Sequence, residues 1–310
     1  MSPSLSSPRI AIIGAGIIGL SCAWELAKRG AHVTLFDSGF YPGRGASWAA
    51  AGMLAPAYEA AAEPGVNPRL FDLCLKSARQ WIDMSGAIAA VTKRDVLHSI
   101  GPSLAVAQTA EDRIQLAGLA KALTARKIAF DVLSPDEAVQ AEPCLRVGNK
   151  GALRLPTDGQ VDNRLLVEAL IRALESQERV AFVTGTAPLA LVQGKIVLDG
   201  FDRVIFAAGW ETASVTVGEV PLGDIAPMLR KIEPVAGHML SFNRLPDGPA
   251  MTVRAGALYI VPKAGRLIVG ATMEPGETST RIDPAAINRL EAAAQSLCPM
   301  LKRATIIEAW

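Results

Sequence analysis

The clearest pattern of apolar and polar positions lies near the beginning of the chain, between Arg9 and Asp37. An apolar run from Ile10 to Ile13 is typical of a buried strand, and a helical pattern then continues to about Arg29. A second apolar run, Val33 to Phe36, ends at an acidic residue. The order strand, helix, strand predicts a βαβ unit.

Three glycines, Gly14, Gly16 and Gly19, separate the first strand from the helix in the spacing GxGxxG. Gly14 permits a tight turn, Gly16 lets the backbone approach a pyrophosphate, and Gly19 lets the helix lie close to the strand. Asp37 lies 18 residues after Gly19, where it can accept hydrogen bonds from a ribose. The segment predicts a dinucleotide site at the helix N-terminus. A purely structural βαβ unit is the alternative, and the spacing does not choose between NAD, NADP and FAD.

Helical and strand patterns alternate along the rest of the chain. Helical spacing predicts helices over 67–88, 110–127, 162–174 and 284–298, and Ser134 with Pro135 after it is typical of a helix start. The run RVIFAAG, which ends at Gly209, predicts a strand buried on both faces of a parallel sheet. From Val235 onward, alternating strands indicate an antiparallel sheet.

These patterns predict an α/β protein that is α+β overall. One domain is Rossmann-like with a mixed or parallel sheet, and the other is a substrate domain with a largely antiparallel sheet and helices. The length of 310 residues supports two domains with full cores. We predict a dinucleotide-binding domain over 9–80 and 151–215, and a substrate-binding domain over 81–150 and 216–310.

Composition excludes several classes of function. Lysine and arginine number 31 and aspartate and glutamate 30, without a basic cluster, so nucleic acid is not an expected partner. The chain has no apolar run of about 18 residues and no export signal, which predicts a cytoplasmic protein that does not span a membrane. Its scattered cysteines predict buried thiols in a reducing compartment, with a metal site or covalent flavin attachment as alternatives. We assign no metal ligands.

Small residues dominate the run from Ala46 to Leu54. Such a run allows a second helix start to press its backbone against a planar ligand. A tightly packed alanine-rich helix is the alternative, and the residues alone do not decide between the two.

Several longer motifs carry a family resemblance. In order they are GAGIIG with its downstream acid, GASWAAAGMLAP, LPTDGQVDNRLL, VIFAAGW and LYIVPKAGRLIVGATME. With them the chain resembles the FAD-dependent D-amino-acid oxidase family, and within it the glycine oxidases of thiamine biosynthesis. The resemblance covers residues 9 to 310 and implies FAD rather than NAD, because AAAGML, DGQVD and GATM are more specific than the glycine spacing.

The resemblance implies a set of cofactor-binding residues. They are Gly14, Gly16, Ile17, Ile18 and Gly19 for the pyrophosphate, Asp37 and Ser38 for the ribose, Ala46 and Ser47 for the diphosphate region, Ala51, Gly52 and Met53 for the isoalloxazine, Ala187 near adenine, and Gly209 at the strand end that closes over the dinucleotide.

The resemblance also implies that Tyr259 and Met273 face the substrate and that Glu59 lies near the entrance. On the residues alone, the favoured interpretation is a half-buried strand aromatic for Tyr259 and ordinary core packing for Met273. The implied reaction transfers a hydride from the amine Cα to flavin N5, hydrolyses the imine and reduces dioxygen to hydrogen peroxide. Glycine, sarcosine or short D-amino acids are the implied substrates, and a homo-oligomer is left open.

One feature of the family pattern is not found in this chain. In the resembled enzymes the strand that ends here at Trp310 continues into a Gly-Leu-Arg-Pro segment, whose arginine binds the substrate carboxylate. We expect Arg254, Arg266 and Arg281 to be exposed and to form ion pairs rather than to take that role. An active oxidase and an inactive flavin-binding remnant are therefore both carried forward. The oxidase module of a tRNA-modifying enzyme is disfavoured by the neutral charge.

Overall fold

The computed structural model describes residues 7–39, 42–62 and 68–310. These residues form two compact units. As far as they are described, unit 1 comprises residues 7–50, 86–96 and 163–234, and unit 2 comprises residues 51–85, 97–162 and 235–310. Each unit is therefore built from three separate stretches of chain.

The described helices, in chain order, are α1 (Ile17–Lys28), α2 (Ala46–Ala49), α3 (Pro56–Ala62), α4 (Pro68–Thr92), α5 (Ala110–Ala125), α6 (Pro135–Ala141), α7 (Asn163–Glu175), α8 (Leu222–Ile225) and α9 (Pro284–Leu297). Short 3-10 helices cover Gly209–Ser214, Pro227–Lys231 and Pro299–Arg303. The start of α4 predicted at Asn67 lies outside the described residues. None of the described helices combines the length and the apolar character that a membrane span requires.

The described strands, in chain order, are β1 (Arg9–Ile13), β2 (His32–Asp37), β3 (Met53–Leu54), β4 (Ser99–Ile100), β5 (Ser103–Val106), β6 (Asp131–Leu133), β7 (Ala152–Leu155), β8 (Gly159–Gln160), β9 (Val180–Thr184), β10 (Ala190–Val192), β11 (Lys195–Val197), β12 (Arg203–Phe206), β13 (Thr216–Val217), β14 (Val220–Pro221), β15 (Val235–Ala236), β16 (Leu240–Asn243), β17 (Thr252–Ala255), β18 (Leu258–Lys263), β19 (Arg266–Gly270), β20 (Glu274–Pro275) and β21 (Ile306–Ala309).

The bounds of the two units differ from the predicted domain bounds. Residues 51–80 and 151–162, predicted within the dinucleotide-binding domain, belong to unit 2, whereas 86–96 and 216–234 belong to unit 1. Strand pairing gives the physical reason at one boundary, because β3 and β8 pair with each other in a small sheet of unit 2. The assignment of the domains to FAD and to substrate stays a prediction.

Unit 1 contains a sheet of four parallel strands in the order β12-β1-β2-β9. All residues of β1 after Arg9 are buried, as expected for a central strand of a parallel sheet that is covered on both faces. Helix α1 connects β1 to β2 and packs against α7. The predicted βαβ unit is therefore present and forms the centre of unit 1.

The predicted burial of RVIFAAG on both faces is wrong. Its residues Val204, Ile205 and Phe206 form β12 and are only half-buried. The reason is topological, since β12 has one strand neighbour, β1, and lies at the edge of the described sheet. An apolar run therefore indicated a strand here without revealing its place in the sheet.

Unit 2 contains an eight-stranded sheet in the order β21-β16-β19-β18-β17-β5-β7-β6. Neighbouring strands are antiparallel except β17 and β5, which run parallel. The prediction of a largely antiparallel sheet is confirmed, and so is the predicted fold class. Strand β5 from the middle of the chain lies within the same sheet as the later strands.

The two faces of this sheet differ in chemistry, because successive side chains along a strand point to opposite faces. One face carries Leu104, Val253, Ile260 and Val269, which pack with residues of α9 in one apolar cluster. Alternate positions on the same strands carry buried polar or charged side chains, namely Ser103, Thr252, Arg254, Lys263 and Ser241. Burial of charge needs compensation, so this second face is a candidate functional surface.

Local sequence signals explain where the helices of unit 2 begin. Ser134 accepts a hydrogen bond from the Glu137 N–H at 3.3 Å, and the Glu137 carboxylate accepts one from the Ser134 N–H at 2.8 Å. Thr109 and Asp112 form the same reciprocal capping box at the start of α5. The helix start predicted at Ser134 is confirmed.

Candidate functional site

The glycine-rich turn of unit 1 is shaped by close backbone contacts. Gly14 has a φ of +106°, and its N–H donates to the Phe36 carbonyl at 2.7 Å. A Cβ on Gly14 would collide with the backbone of Ala207, and a Cβ on Gly19 would collide with the Gly14 carbonyl oxygen. The first and last glycines are therefore sterically required, and this requirement explains two of the three glycines in the GxGxxG spacing.

Asp37 lies at the end of β2 beside the same turn. Its Oδ2 accepts the Ala15 N–H at 2.6 Å, and its Oδ1 accepts the Gly39 N–H at 2.8 Å. A carboxylate offers about four lone-pair sites, so two remain after these bonds for hydroxyl donors. Ser38, next in the chain, is exposed. The carboxylate is thus held in place and still able to bind a ribose.

Ser47, from α2, lies at the N-terminus of α1. Its Oγ accepts the Ile17 N–H at 2.9 Å, and a Cβ on Gly16 would lie 3.3 Å from that Oγ. The Asn163 Nδ2 donates to the carbonyls of Ser47 and Trp48 at 2.9 Å each. The sequence analysis did not predict a role for Asn163. This residue directly follows DGQVD within the motif LPTDGQVDNRLL, and that motif could have indicated it.

The remaining predicted residues of unit 1 lie in different surroundings. Ala187 is buried in an apolar cluster with Ile13 and Phe36. Ile18 is 65% exposed at the start of α1, and Ala46 is exposed at the start of α2. Gly209 is exposed, with a φ of +60°. The described hydrogen bonds of this unit join the glycine turn and the start of α1 to Asp37 and Ser47, and Ala187 packs beside the residues that precede Gly14 and Asp37.

These features fit a dinucleotide. The turn is lined by glycines where a side chain would fill the space, the start of α1 supplies backbone N–H groups and a positive dipole end, and Asp37 supplies carboxylate oxygens. The same geometry suits the pyrophosphate and ribose that FAD shares with other dinucleotides. The choice of FAD therefore rests on the family.

In unit 2, the motifs AAAGML and DGQVD contact each other. The Val161 N–H donates to the Gly52 carbonyl at 2.8 Å, and Met53 pairs with Gln160 between β3 and β8. Gly52 has a φ of +70°, which favours glycine. Ala51 is buried, in contact with an apolar cluster of this unit. Two motifs far apart in sequence thus form one local structure.

Tyr259 is on β18, and its side chain lies over the neighbouring strand β19. It pairs with Gly270 of the GATM motif, and a Cβ on Gly270 would collide with the tyrosine ring. Its hydroxyl lies 3.8 Å from the Met239 sulfur, and burial raises its pKa to about 12. Tyr259 is therefore a protonated hydrogen-bond donor at neutral pH. Met273 is 70% exposed, which contradicts the alternative of core packing.

Arg254 contradicts the expectation that it is exposed. Its side chain is 4% exposed, and its Nη1 forms an ion pair with Glu59, which is 62% exposed. The guanidinium stacks over the Tyr58 ring at 4.3 Å from the centroid, and Nη2 lies 3.1 Å from the Met53 sulfur. The physical reason is that Tyr58 of α3 and Met53 of β3 pack against the guanidinium on this face of the sheet. Arg281 is exposed as expected, and Arg266 is half-buried near Asp162 and Glu308.

Asp158 of the DGQVD motif lies close to this arginine. The Ser103 hydroxyl donates to its Oδ2 at 2.8 Å. Burial raises the pKa of Asp158 to about 6, although Ser103 and the positive charge of Arg254 both lower it. A pocket of about 200 Å³ within unit 2 is lined, among others, by Met53, Ser103, Asp158, Gln160, Thr252 and Arg254.

Lys263 is a second buried cation on the same sheet. Its Nζ donates to the Val161 carbonyl at 2.7 Å. Burial lowers its pKa to about 8, against the opposing effect of the Asp162 carboxylate. Lys263 therefore fixes the end of the DGQVD motif by a charge-assisted hydrogen bond.

The four cysteines are free thiols in the described structure. No group of three His, Cys, Asp or Glu side chains in the described part of the chain has a metal-binding arrangement. Cys144 and Cys298 are buried with their sulfurs 3.3 Å apart, and Cys22 and Cys74 are half-buried. The prediction of free thiols agrees with these positions.

Comparison with known proteins identifies the family. The family described as DAO, FAD dependent oxidoreductase, matches residues 9–310. Glycine oxidase of Bacillus licheniformis is 30% identical over 307 residues, which cover 96% of this chain and 79% of that protein. The bifunctional protein ThiO/ThiG of a Synechocystis species is 31% identical, with 97% of this chain and 44% of that protein covered.

The fold agrees with this match. The crystal structure of glycine oxidase from Geobacillus kaustophilus superposes with a TM-score of 0.85 at 28% identity, and the match covers 98% of this chain and 82% of that chain. The family match extends over both described units. With its glycine turn, the acid at the end of β2 and a family match over residues 9–310, the chain belongs to the DAO family of FAD-dependent oxidoreductases.

Proposed function

We propose that this FAD-dependent oxidoreductase oxidises glycine or another small amine or D-amino acid, with dioxygen as the electron acceptor. One observation carries the proposal. Ala51 and Met53, the residues proposed to contact the isoalloxazine, pack in the same apolar cluster as Tyr259, the residue proposed to contact the substrate. The relatives named glycine oxidase support the same substrate class.

We assign FAD to the following residues of the chain. They are Gly14, Gly16, Ile17, Ile18 and Gly19 for the pyrophosphate, Ala46 and Ser47 for the diphosphate region, Asp37 and Ser38 for the ribose, Ala187 for the adenine, and Gly209 at the strand end that closes over the dinucleotide. For the isoalloxazine ring we propose Ala51, Gly52 and Met53. The glycine turn and Asp37 support this assignment most strongly.

When bound, FAD would supply the electron chemistry of amine oxidation, with dioxygen as the final electron acceptor. Tyr259 donates a hydrogen bond to the substrate, because its hydroxyl stays protonated at every pH below about 12. The apolar cluster of Ala51, Met239 and Val261 packs against the Tyr259 side chain. Met273 and Glu59, both exposed, border the entrance.

The net reaction consumes the amine, dioxygen and water. It releases the oxo acid, ammonia and hydrogen peroxide, so that two electrons leave the Cα–N unit and reduce one dioxygen. The resemblance to glycine oxidases supports a role in thiamine biosynthesis. The pocket of about 200 Å³ in unit 2 is compatible with small substrates.

A peroxide assay tests the proposal. The purified chain is loaded with FAD and supplied with glycine, sarcosine or D-alanine in air. We expect a yellow protein that releases hydrogen peroxide with at least one of them. A yellow protein that releases none would favour the alternative of a flavin-binding chain without oxidase activity. A protein that takes up no FAD would contradict the cofactor assignment.

A further inference from the structure

We propose that His238 is a positioning residue of the proposed site, and that its ring holds residues 272–283, here called the Met273 segment, in a proton-dependent way. The proposal rests on the proposed function, because it concerns the segment that carries Met273 at the entrance. Three observations carry it: the contacts at the start of the segment, the contact at its end, and the hydrogen-bonding groups around the imidazole ring.

The first observation is that the start of the Met273 segment is held by backbone. A Cβ on Gly237 would collide with the Thr272 carbonyl oxygen, so the two stretches lie in close contact. The His238 N–H donates to the Thr272 Oγ1 at 2.8 Å, and the Thr272 N–H donates to the His238 carbonyl at 3.3 Å. Strand β20, which begins at Glu274, pairs with β15. Met273 therefore lies between two residues whose backbone is fixed.

The second observation is that the same histidine reaches the end of the segment. Residues 275–283 are exposed, and Glu277 and Ser279 form short local turns there. The Asp283 N–H donates to the His238 Nε2 at 2.9 Å. One buried ring thus joins the two ends of an exposed stretch to the body of unit 2.

The contacts of the ring assign its protonation state. Nδ1 lies 3.2 Å from the Glu274 Oε1 and 3.1 Å from the Thr272 Oγ1. An ionised carboxylate only accepts hydrogen bonds, so Nδ1 carries a proton. Nε2 accepts the Asp283 N–H, so it carries none. The neutral tautomer with its proton on Nδ1 is the form of His238 that satisfies these neighbours.

The third observation is that Nε2 faces a donor and an acceptor together. Besides the Asp283 N–H, the Arg281 carbonyl oxygen lies 3.3 Å from Nε2. A neutral ring satisfies the Asp283 donor, whereas a protonated ring would donate to the Arg281 carbonyl and release the Asp283 N–H. His238 therefore has two hydrogen-bonding states, and one proton selects between them.

Charged groups on the neighbouring elements bear on this choice. The Glu274 carboxylate of β20 stabilises a protonated ring through Nδ1. In the segment itself the Arg281 side chain is exposed, and the Asp283 carboxylate lies 3.9 Å from the guanidinium of Arg289 on α9. Histidine is the side chain whose charge changes closest to neutral pH. Mild acid therefore shifts His238 towards the state that releases the Asp283 N–H.

A purely structural role is the competing interpretation, in which His238 only fills space between β15 and β20. The two interpretations differ in whether the order of the Met273 segment depends on an acceptor at the Nε2 position and on pH. They also differ in the kinetic constants, because a misplaced entrance residue affects substrate binding more than electron transfer.

The experiment compares variants of the FAD-loaded protein. His238→Leu removes every hydrogen bond of the ring at similar size, and His238→Gln keeps an acceptor near the Nε2 position but does not titrate. His32→Gln is the matched control at an exposed histidine. Hydrogen exchange of the Met273 segment, read by peptide mass spectrometry, is compared between variants at each pH. The KM and kcat for glycine are measured by peroxide release.

The tautomer is measured separately by the 15N resonances of the imidazole rings. The chain has three histidines, so His238 is assigned by its absence from the His238→Gln spectrum. We expect an unprotonated Nε2 and a protonated Nδ1 at about pH 8. A protonated Nε2 at that pH would contradict the hydrogen bond from Asp283 and overturn the proposal.

We expect His238→Leu to speed exchange in the Met273 segment by about tenfold at pH 8, and to raise the KM for glycine by about fivefold, since a buried hydrogen bond is lost. The kcat should change by less than about twofold, because His238 takes no part in the chemistry. His238→Gln should stay close to the unchanged protein at pH 8. As the pH falls to about 5.5, exchange in the unchanged protein should become faster than in His238→Gln.

Equal exchange in His238→Leu and the unchanged protein overturns the proposal, as does faster exchange with an unchanged KM. If the unchanged protein releases no peroxide, the proposed function fails, while exchange and the 15N resonances still decide the role of His238. If His238→Leu does not fold, the pH series decides. The same pH dependence in His238→Gln and the unchanged protein then contradicts a proton-dependent hold on the segment.

Discussion

The glycine turn of unit 1 and the buried charged face of unit 2 are two ways of building a binding site. The turn is made of backbone, within residues 14–19 and one acid at the end of the next strand. The charged face is made of side chains from β5, β16, β17 and β18, with Glu59 of α3 paired to Arg254. The first site is local in sequence, whereas the second exists only after five elements have come together.

This difference determines how each region responds to substitution. At the turn, Gly14 and Gly19 are needed because any side chain would collide with backbone. On the charged face, Arg254 and Asp158 are surrounded by side chains, so that changes of charge matter more than changes of volume. Substitutions chosen for each region should therefore produce different kinds of effect.

The largest effect is expected at the turn. Gly19→Val would force a branched side chain against the Gly14 carbonyl, which we expect to cost about 3 kcal/mol or more and to abolish FAD binding. Thermal unfolding and the flavin content of the purified protein measure both effects.

Gly118→Ala is the control for this change, because nothing lies within 4 Å of the added methyl group. Glycine inside a helix is destabilising, so this variant should gain up to about 1 kcal/mol and keep its flavin. A Gly19→Val protein that binds FAD normally would show that the backbone contacts of the turn are not essential.

The second largest effect is expected from the charge of Asp158, which is buried in unit 2. The pKa of Asp158 is raised from its usual 3.8 to about 6. Between these values the folded state binds more protons than the unfolded state, so the free energy of unfolding falls as the pH rises through this window. Above about pH 6 the full cost is present, at most about 3 kcal/mol.

Asp158→Asn removes this charge and keeps an oxygen that can accept the Ser103 hydroxyl. We expect the variant to be more stable than the unchanged protein at pH 7, with the difference shrinking towards pH 4. Urea unfolding at several pH values measures it. A variant that is less stable at pH 7 would mean that the attraction between the charges of Asp158 and Arg254 outweighs the cost of burying Asp158.

The smallest effect is expected at Ser47, whose side chain forms a hydrogen bond with the backbone of α1. Ser47→Ala removes the hydroxyl that accepts the Ile17 N–H at the start of α1. The loss of such a cap costs about 1 kcal/mol, and we expect the Kd for FAD to rise by about fivefold to tenfold. Fluorescence titration with FAD measures the change.

Thr124→Ala is the matched control, since it removes an exposed hydroxyl that bonds only within α5 in the described contacts. It should leave the affinity for FAD unchanged. Equal affinities in the two variants would contradict the role of Ser47 at the diphosphate.

The sequence was informative where structure is local. The turn at Gly14 and the helix start at Ser134 follow from residues within a few positions of each other. The parallel and antiparallel sheets follow from the continuous and alternating apolar patterns that precede and follow Val235. These features need no knowledge of which strands become neighbours.

The wrong predictions concern features that depend on which elements become neighbours in the tertiary structure. RVIFAAG indicated a strand but not its position at the edge of the described sheet. Arg254 looks like a surface residue in sequence, yet Tyr58 of α3 and Met53 of β3 pack against its guanidinium and bury it. The raised pKa of Asp158 likewise depends on burial that no local pattern reveals.

The most direct test of the account is reduction of the bound flavin in the absence of oxygen. The FAD-loaded protein is mixed anaerobically with glycine, sarcosine or D-alanine, and the visible flavin absorption is followed. We predict that at least one of them bleaches the absorption and that admitted air restores it with release of hydrogen peroxide. If dithionite bleaches the flavin but none of the three amines does, the proposed amine oxidation is contradicted.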